Sequence, residues 1–180
     1  MPQTAHRSLK VLVVDDEADV RELLAEYFTE IGYDVTTAPD GAQAIEDITA
    51  NPEKYGLVIS DLQMPGVDGL GVLKAAKAAN PYLAVIIVTG YASVDSAVRA
   101  VRMGAYDYLT KPFTLGQIEV IVRRAAERLA LEAENRQLAE RVGARGERDS
   151  ESAVLERLEG IDRRLARIES LLSDLPVSTR

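Results

Sequence analysis

The sequence predicts an open, doubly wound α/β sheet of parallel strands, followed by a helical, coiled-coil-like extension. Two patterns carry this. Up to about residue 113, short β-branched apolar runs alternate with longer stretches of helical periodicity. After about residue 115 the pattern is purely helical.

The elements follow in order. KVLVV (10–14) is a first strand that can be buried on both faces. The stretch 17–31 is helical, with Val20, Leu23, Leu24, Tyr27, Phe28 and Ile31 at i, i+3, i+4, i+7 spacing, and Gly32 ends it at a C′ position. DVTTA (34–38) is a second strand, and Asp40-Gly41 opens a helix through about residue 50. LVIS (57–60) is a third strand, and the turn residues PGVDG (65–69) lead into a helix through about residue 79. AVIIVT (84–89) is a fourth strand; Ser93 or Asp95 starts a helix ending near Gly104. YDYL (106–109) is a fifth strand, and a last helix begins near Leu115. Strands and helices in strict alternation imply a parallel sheet covered on both faces. In that architecture ligands sit at the carboxyl ends of the strands.

Composition narrows the function. The hydrophobic fraction of 47% with 28% charged residues suits a globular domain. There is no cysteine, which excludes disulfides and thiolate metal sites. The longest apolar stretch, LAVIIV (83–88), is too short to cross a bilayer, and MPQTAHRSLK at the start has no apolar segment behind it. No membrane association and a cytoplasmic location are therefore expected. The net charge is −8, and all five lysines are scattered through the first 112 residues. Direct nucleic-acid binding is not expected of such a chain.

The chemistry lies at the strand ends. The first strand ends in Asp15-Asp16 and the third in Asp61, near the fourth strand's Thr89 and the fifth strand's Lys111. Carboxylates about 4 Å apart repel by roughly 4 kcal/mol per pair at an effective dielectric near 20. Such a cluster needs a cation or must take up protons. Hard oxygen ligands without His or Cys favour Mg²⁺, which suits phosphoryl transfer, with Asp61 as a nucleophile forming an acyl phosphate. Taken singly, an Asp-Asp pair after a strand more often caps a helix, and Lys111-Pro112 reads as a surface turn. Their joint placement at the ends of four of five strands argues for a site.

VLVVDDEADVR, LVISDLQMPGVDGL, VIIVTGY and GAYDYLTKPF closely resemble the four signatures of bacterial two-component receiver domains. The resemblance covers about residues 8–128. It implies a flavodoxin-like (βα)₅ fold and a role as phosphoryl target of a histidine kinase or phosphotransfer protein. Carried over residue by residue, Asp61 resembles the phosphorylated aspartate. Asp16 and Asp61 would be direct Mg²⁺ ligands, with Asp15 acting largely through water and the Gln63 carbonyl as a further ligand. Lys111 would pair with a phosphoryl oxygen and Thr89 would hydrogen-bond another. Tyr108 resembles the aromatic switch residue, and Lys111-Pro112 the family's cis peptide. The only histidine, His6, sits in a polar N-terminal stretch and there is no Gly-rich ATP loop, so the phosphoryl group would come from outside.

The far end carries a heptad: Val154, Leu158, Ile161, Leu165, Ile168, Leu172 and Leu175. In a parallel assembly Arg157 and Arg164 at g would face Asp162 and Glu169 at e, whereas an antiparallel pair would set like charges together. A parallel dimer or tetramer is expected. The division expected is a flexible N-terminus at 1–8, a receiver domain at 9–128, an extended helix at 129–142, a linker at 143–152, a coiled-coil helix at 153–175 and a flexible tail at 176–180.

The leading reading is a phosphorylation-switched signalling module, not an enzyme with external turnover. The alternative is the N-terminal regulatory part of a longer transcription activator, although these 180 residues hold no GxxxxGK[ST]. A haloacid-dehalogenase-like phosphatase fits poorly, because it would need Asp-x-Asp after the first strand.

Overall fold

The computed structural model describes residues 9–139. The expected N-terminal stretch 1–8, the linker 143–152, the coiled-coil helix 153–175 with its heptad positions and the tail 176–180 lie outside the described residues. Compactness divides the chain into Met1–Glu132 and Ala133–Arg180, and the sheet belongs to the first unit.

The elements run β1 (Lys10–Val14), α1 (Ala18–Glu30), β2 (Asp34–Ala38), α2 (Gly41–Ala50), β3 (Leu57–Asp61), α3 (Gly69–Ala79), β4 (Ala84–Thr89), α4 (Val94–Arg102) and β5 (Asp107–Thr110). A last helix, α5, begins at 115 and is helical to 139. All strands pair in parallel, in the order β2-β1-β3-β4-β5. This is the flavodoxin-like arrangement. The order reverses between β1 and β3, which opens a crevice at their carboxyl ends. Asp15 follows β1 and Asp61 closes β3, so both fall at that crevice.

Strand side chains alternate between two faces, and each face finds its own helices. Leu12, Val14, Val58, Val85 and Ile87 pack with α2, α3 and Ala100 of α4. Val11, Val13, Ile59, Ile86 and Val88 pack with Leu24 and Phe28 of α1 and with Ile118 and Val122 of α5. Both faces of the central strands are thus dry, which is why those strands read as continuous apolar runs.

Local chemistry sets the boundaries. Gly32 follows α1 at φ 101°, a left-handed conformation that glycine adopts without a Cβ penalty. Asp40 and Asp68 cap α2 and α3 by accepting from the N–H groups of Gln43 and Gly71. Ser93, not Asp95, caps α4, in a reciprocal capping box with Ser96. Two residues of the expected α1 stripe fall outside the core: Leu23 is 53% exposed and Ile31 is also exposed. Leu24 and Phe28 occupy the centre of the buried face, and Leu23 and Ile31 fall at its margins.

Gly69 ties α3 to the end of β3. Its N–H donates to the Leu62 carbonyl at 2.9 Å, and a Cβ there would lie 2.3 Å from the Asp61 carbonyl oxygen. No side chain fits without moving backbone. Gly69→Ala should therefore cost about 1–3 kcal/mol in urea unfolding, the usual penalty for overpacking. Gly116→Ala, where a Cβ meets nothing within 4 Å, should be neutral or slightly stabilising in the same assay. Equal stabilities for the two variants would overturn the packing argument.

Candidate functional site

The backbone that carries the site is fastened to the sheet beyond the strand ends. The Asp15 N–H donates to Ala38 O of β2, Leu62 N–H to Val88 O of β4, and Lys111 N–H to Thr89 O. These bonds continue the parallel ladders by one residue. They fix the chain just where the polar side chains begin.

Asp15 and Asp61 are buried, 2% and 6% exposed, and they converge on one ammonium. Lys111 Nζ lies 3.0 Å from Asp15 Oδ2 and 3.1 Å from Asp61 Oδ1. Each carboxylate uses its other oxygen locally: Asp15 Oδ1 accepts from Glu17 N–H at 2.9 Å, and Asp61 Oδ2 from Gln63 N–H at 2.7 Å. Asp15 does not cap α1, whose N-cap is Glu17; one of its oxygens closes a local turn on the Glu17 N–H and the other meets Lys111. Arg21 donates to the Asp15 carbonyl at 2.7 Å, and Glu17 Oε1 stands 3.3 Å from Lys111 Nζ. Lys111-Pro112 is cis.

Asp16 is exposed and lines an open cavity of about 570 Å³ together with Gln63, Met64, Asp68, Ser96 and Arg99. Among the described residues, no three Asp, Glu or His side chains form a metal-site cluster, and the ion pairs of Lys111 run to Asp15, Glu17 and Asp61. Thr89 is fully buried at the end of β4, and its Oγ1 accepts from Tyr91 N–H at 3.1 Å. Tyr108 of β5 turns its hydroxyl to Ser96 Oγ of α4, 2.8 Å away. The structure therefore brings Asp15, Asp61 and Lys111 into direct contact. Asp16 and Gln63 lie at the adjoining cavity, Thr89 in the strand wall, and Tyr108 against α4.

Glu17, Arg21 and Gly69 escaped the sequence reading. Glu17 stands next to Asp15-Asp16, a third acid in a row, which was the available signal. Arg21 acts on a carbonyl and Gly69 through tertiary proximity, and neither leaves a mark in spacing.

Burial pushes the Asp61 carboxyl above the usual range, and the neighbouring Asp15 charge adds to this, while Lys111 and the Gln63 N–H pull the other way without prevailing. Burial also disfavours the Lys111 ammonium, but its hydrogen bonds and charge pairing with Asp15 and Asp61 outweigh that and hold it protonated. A carboxyl that binds its proton more tightly in the folded chain loses stability as pH rises through the window above its unfolded pKa. The loss persists at neutral pH. Asp61→Asn should therefore be more stable than the parent at pH 7 by about 1 kcal/mol, the order of gain from relieving an unfavourable functional group. The gain should vanish near pH 3.5, below the ordinary carboxylate pKa of about 3.9. Denaturant melts at the two pH values check this, and a gain that does not depend on pH would refute the burial cause.

The profile of the response regulator receiver domain matches residues 11–123. A putative NtrX-like response regulator of Rickettsia bellii is 36% identical over 136 residues, covering 74% of this chain and 28% of that protein. The DNA-binding transcriptional regulator NtrC of Escherichia coli is 39% identical over 115 residues, 64% of this chain and 24% of its own length. The chain thus spans about a quarter of the length of these relatives. A receiver domain protein from Clostridium thermocellum shares the fold with a TM-score of 0.65 at 32% identity, over 68% of this chain and 98% of that one. Profile, relatives and fold coincide on the unit whose strand ends hold Asp15, Asp61 and Lys111, and the chain belongs to the response regulator receiver domain family.

Proposed function

We propose that Asp61 accepts a phosphoryl group from a histidine kinase or phosphotransfer protein and that the chain signals through the resulting change of shape. One observation supports this above the others: the Asp61 carboxylate faces the Lys111 ammonium at 3.1 Å, at a strand end where sheet bonds hold both backbones. An Asp61 oxygen attacks phosphorus, the bond from phosphorus to the donor breaks, and the donor leaves with that electron pair. Lys111 then pairs with a phosphoryl oxygen, and the Thr89 hydroxyl gives up Tyr91 N–H to donate to another. Thr89 moving inward frees room for Tyr108, whose hydroxyl is tied to α4. Such a shift requires contacts that differ between the two states, and these are the ones available.

The donor set fits Mg²⁺. Asp15, Asp16, Asp61 and the Gln63 carbonyl offer only hard oxygens, with the cavity at Asp16 and Gln63 open to water. A bound ion would neutralise the acids and polarise the phosphoryl oxygens. The chain is then a phosphoacceptor acting on itself in the cytoplasm; among its described residues no helix is long and apolar enough to cross a membrane. The relatives' greater length favours a second reading, in which the same domain regulates a longer transcription activator.

Acetyl phosphate with Mg²⁺ should give a single phosphoryl adduct by mass spectrometry, absent in Asp61→Asn and absent without the ion. Beryllofluoride should in parallel alter amide exchange around residues 89–115. Labelling of Asp61→Asn as well as the parent would sink the assignment.

The heptad at 154–175 supports a further part of the proposal, self-association in parallel. Light scattering on the full chain should give a multiple of the monomer mass, lost on truncation to 1–142 and in Leu165→Glu. A monomer at high concentration would exclude it.

A further inference from the structure

Glu17 occupies the N-cap position of α1, yet its side chain makes no capping hydrogen bond. Ser, Thr, Asp and Asn are the residues that cap, since their short side chains reach back to the first-turn N–H groups. The Glu17 side chain turns instead to the site, where Oε1 lies 3.3 Å from Lys111 Nζ. An ammonium has three protons. Here it faces three carboxylates, of Asp15, Asp61 and Glu17, at 3.0, 3.1 and 3.3 Å. It donates hydrogen bonds to Asp15 and Glu17 and pairs by charge with Asp61, so carboxylates hold it before any phosphoryl oxygen arrives.

We propose that Glu17 is a positioning residue that competes with the phosphoryl group for Lys111, and that it is the partner displaced on phosphorylation. This rests on Asp61 being the acceptor. The assignment among the three partners follows from exposure and reach. Asp15 and Asp61 have side chains 3% and 7% exposed, so losing the lysine would strand a charge in a dry site. The Glu17 side chain is 66% exposed and makes the longest of the three contacts. Water solvates it readily once it lets go. Displacing it is therefore the cheapest way to free a proton of Lys111. The acid also sets a threshold, because an incoming anion must outbid a carboxylate already in place.

Two substitutions separate contact from charge. Glu17→Gln keeps the length and removes the charge. Glu17→Asp keeps the charge, shortens the reach and offers α1 a real cap. Beryllofluoride is titrated into the full-length protein with Mg²⁺ and bound fluoride is followed by fluorine NMR. Both variants should bind about two- to fivefold more tightly than the parent, the factor that an exposed ion pair commands. Glu17→Asp should also be no less stable to urea. Parent-like affinity in both variants, or tightening in Glu17→Gln alone, would overturn direct competition, the latter leaving only a long-range charge effect. Asp61→Asn serves as the separate control: binding there would defeat the acceptor assignment itself, whatever Glu17 does.

Discussion

One lysine ammonium makes the polar end of this sheet tenable. Two carboxylates removed from water at the point where strand order reverses would repel each other and suffer desolvation. Lys111 answers both, and it can do so only because β4 and β5 deliver its backbone to a fixed place through the bond to Thr89 O. The sheet's rigidity and the site's electrostatics are thus a single problem. The dry, two-sided core supplies the first; shared protons supply the second. Asp61 remains unfavourably buried even so, as groups at functional sites often are.

The parts of this arrangement that were legible in the sequence are those where residue type and strand position coincide. Apolar runs locate strands buried on both faces, and the residue that follows such a run must sit at a sheet end. Asp15, Asp61, Thr89 and Lys111 follow from that reasoning with no knowledge of the fold's details. Leu23 and Ile31 show its limit. Helical period identifies the centre of a buried face, but its margins depend on how far the neighbouring strands extend beneath the helix. Gly69 shows another, because the closeness of Asp61 O to the place of its Cβ depends on how the loop between β3 and α3 folds back. Glu17 is the most instructive case, since the residue after an Asp-Asp pair at a helix start invites a local explanation, and its partner lies 94 residues away.

The helices are held unequally. Five residues of α3 are buried, whereas α4 buries only Ala100 and leaves Val94, Val98 and Val101 exposed. At about 25 cal/mol per Å² of apolar surface, a helix so lightly covered has little to lose by shifting. Its start is secured chiefly by hydroxyl groups, those of Ser93, Ser96 and Tyr108.

Those hydroxyls form a chain. Ser96 Oγ reaches the Ser93 carbonyl and the Ser93 hydroxyl, each at 2.9 Å. Facing it at 2.8 Å, the Tyr108 hydroxyl shares one hydrogen bond in which either oxygen can donate. The link between β5 and α4 is consequently a single shared hydroxyl contact between strand and helix start. A ring that rotates away breaks that contact and leaves the Ser96 hydroxyl to its Ser93 partners alone, so α4 registers the tyrosine's orientation as the making or breaking of a tie to the sheet.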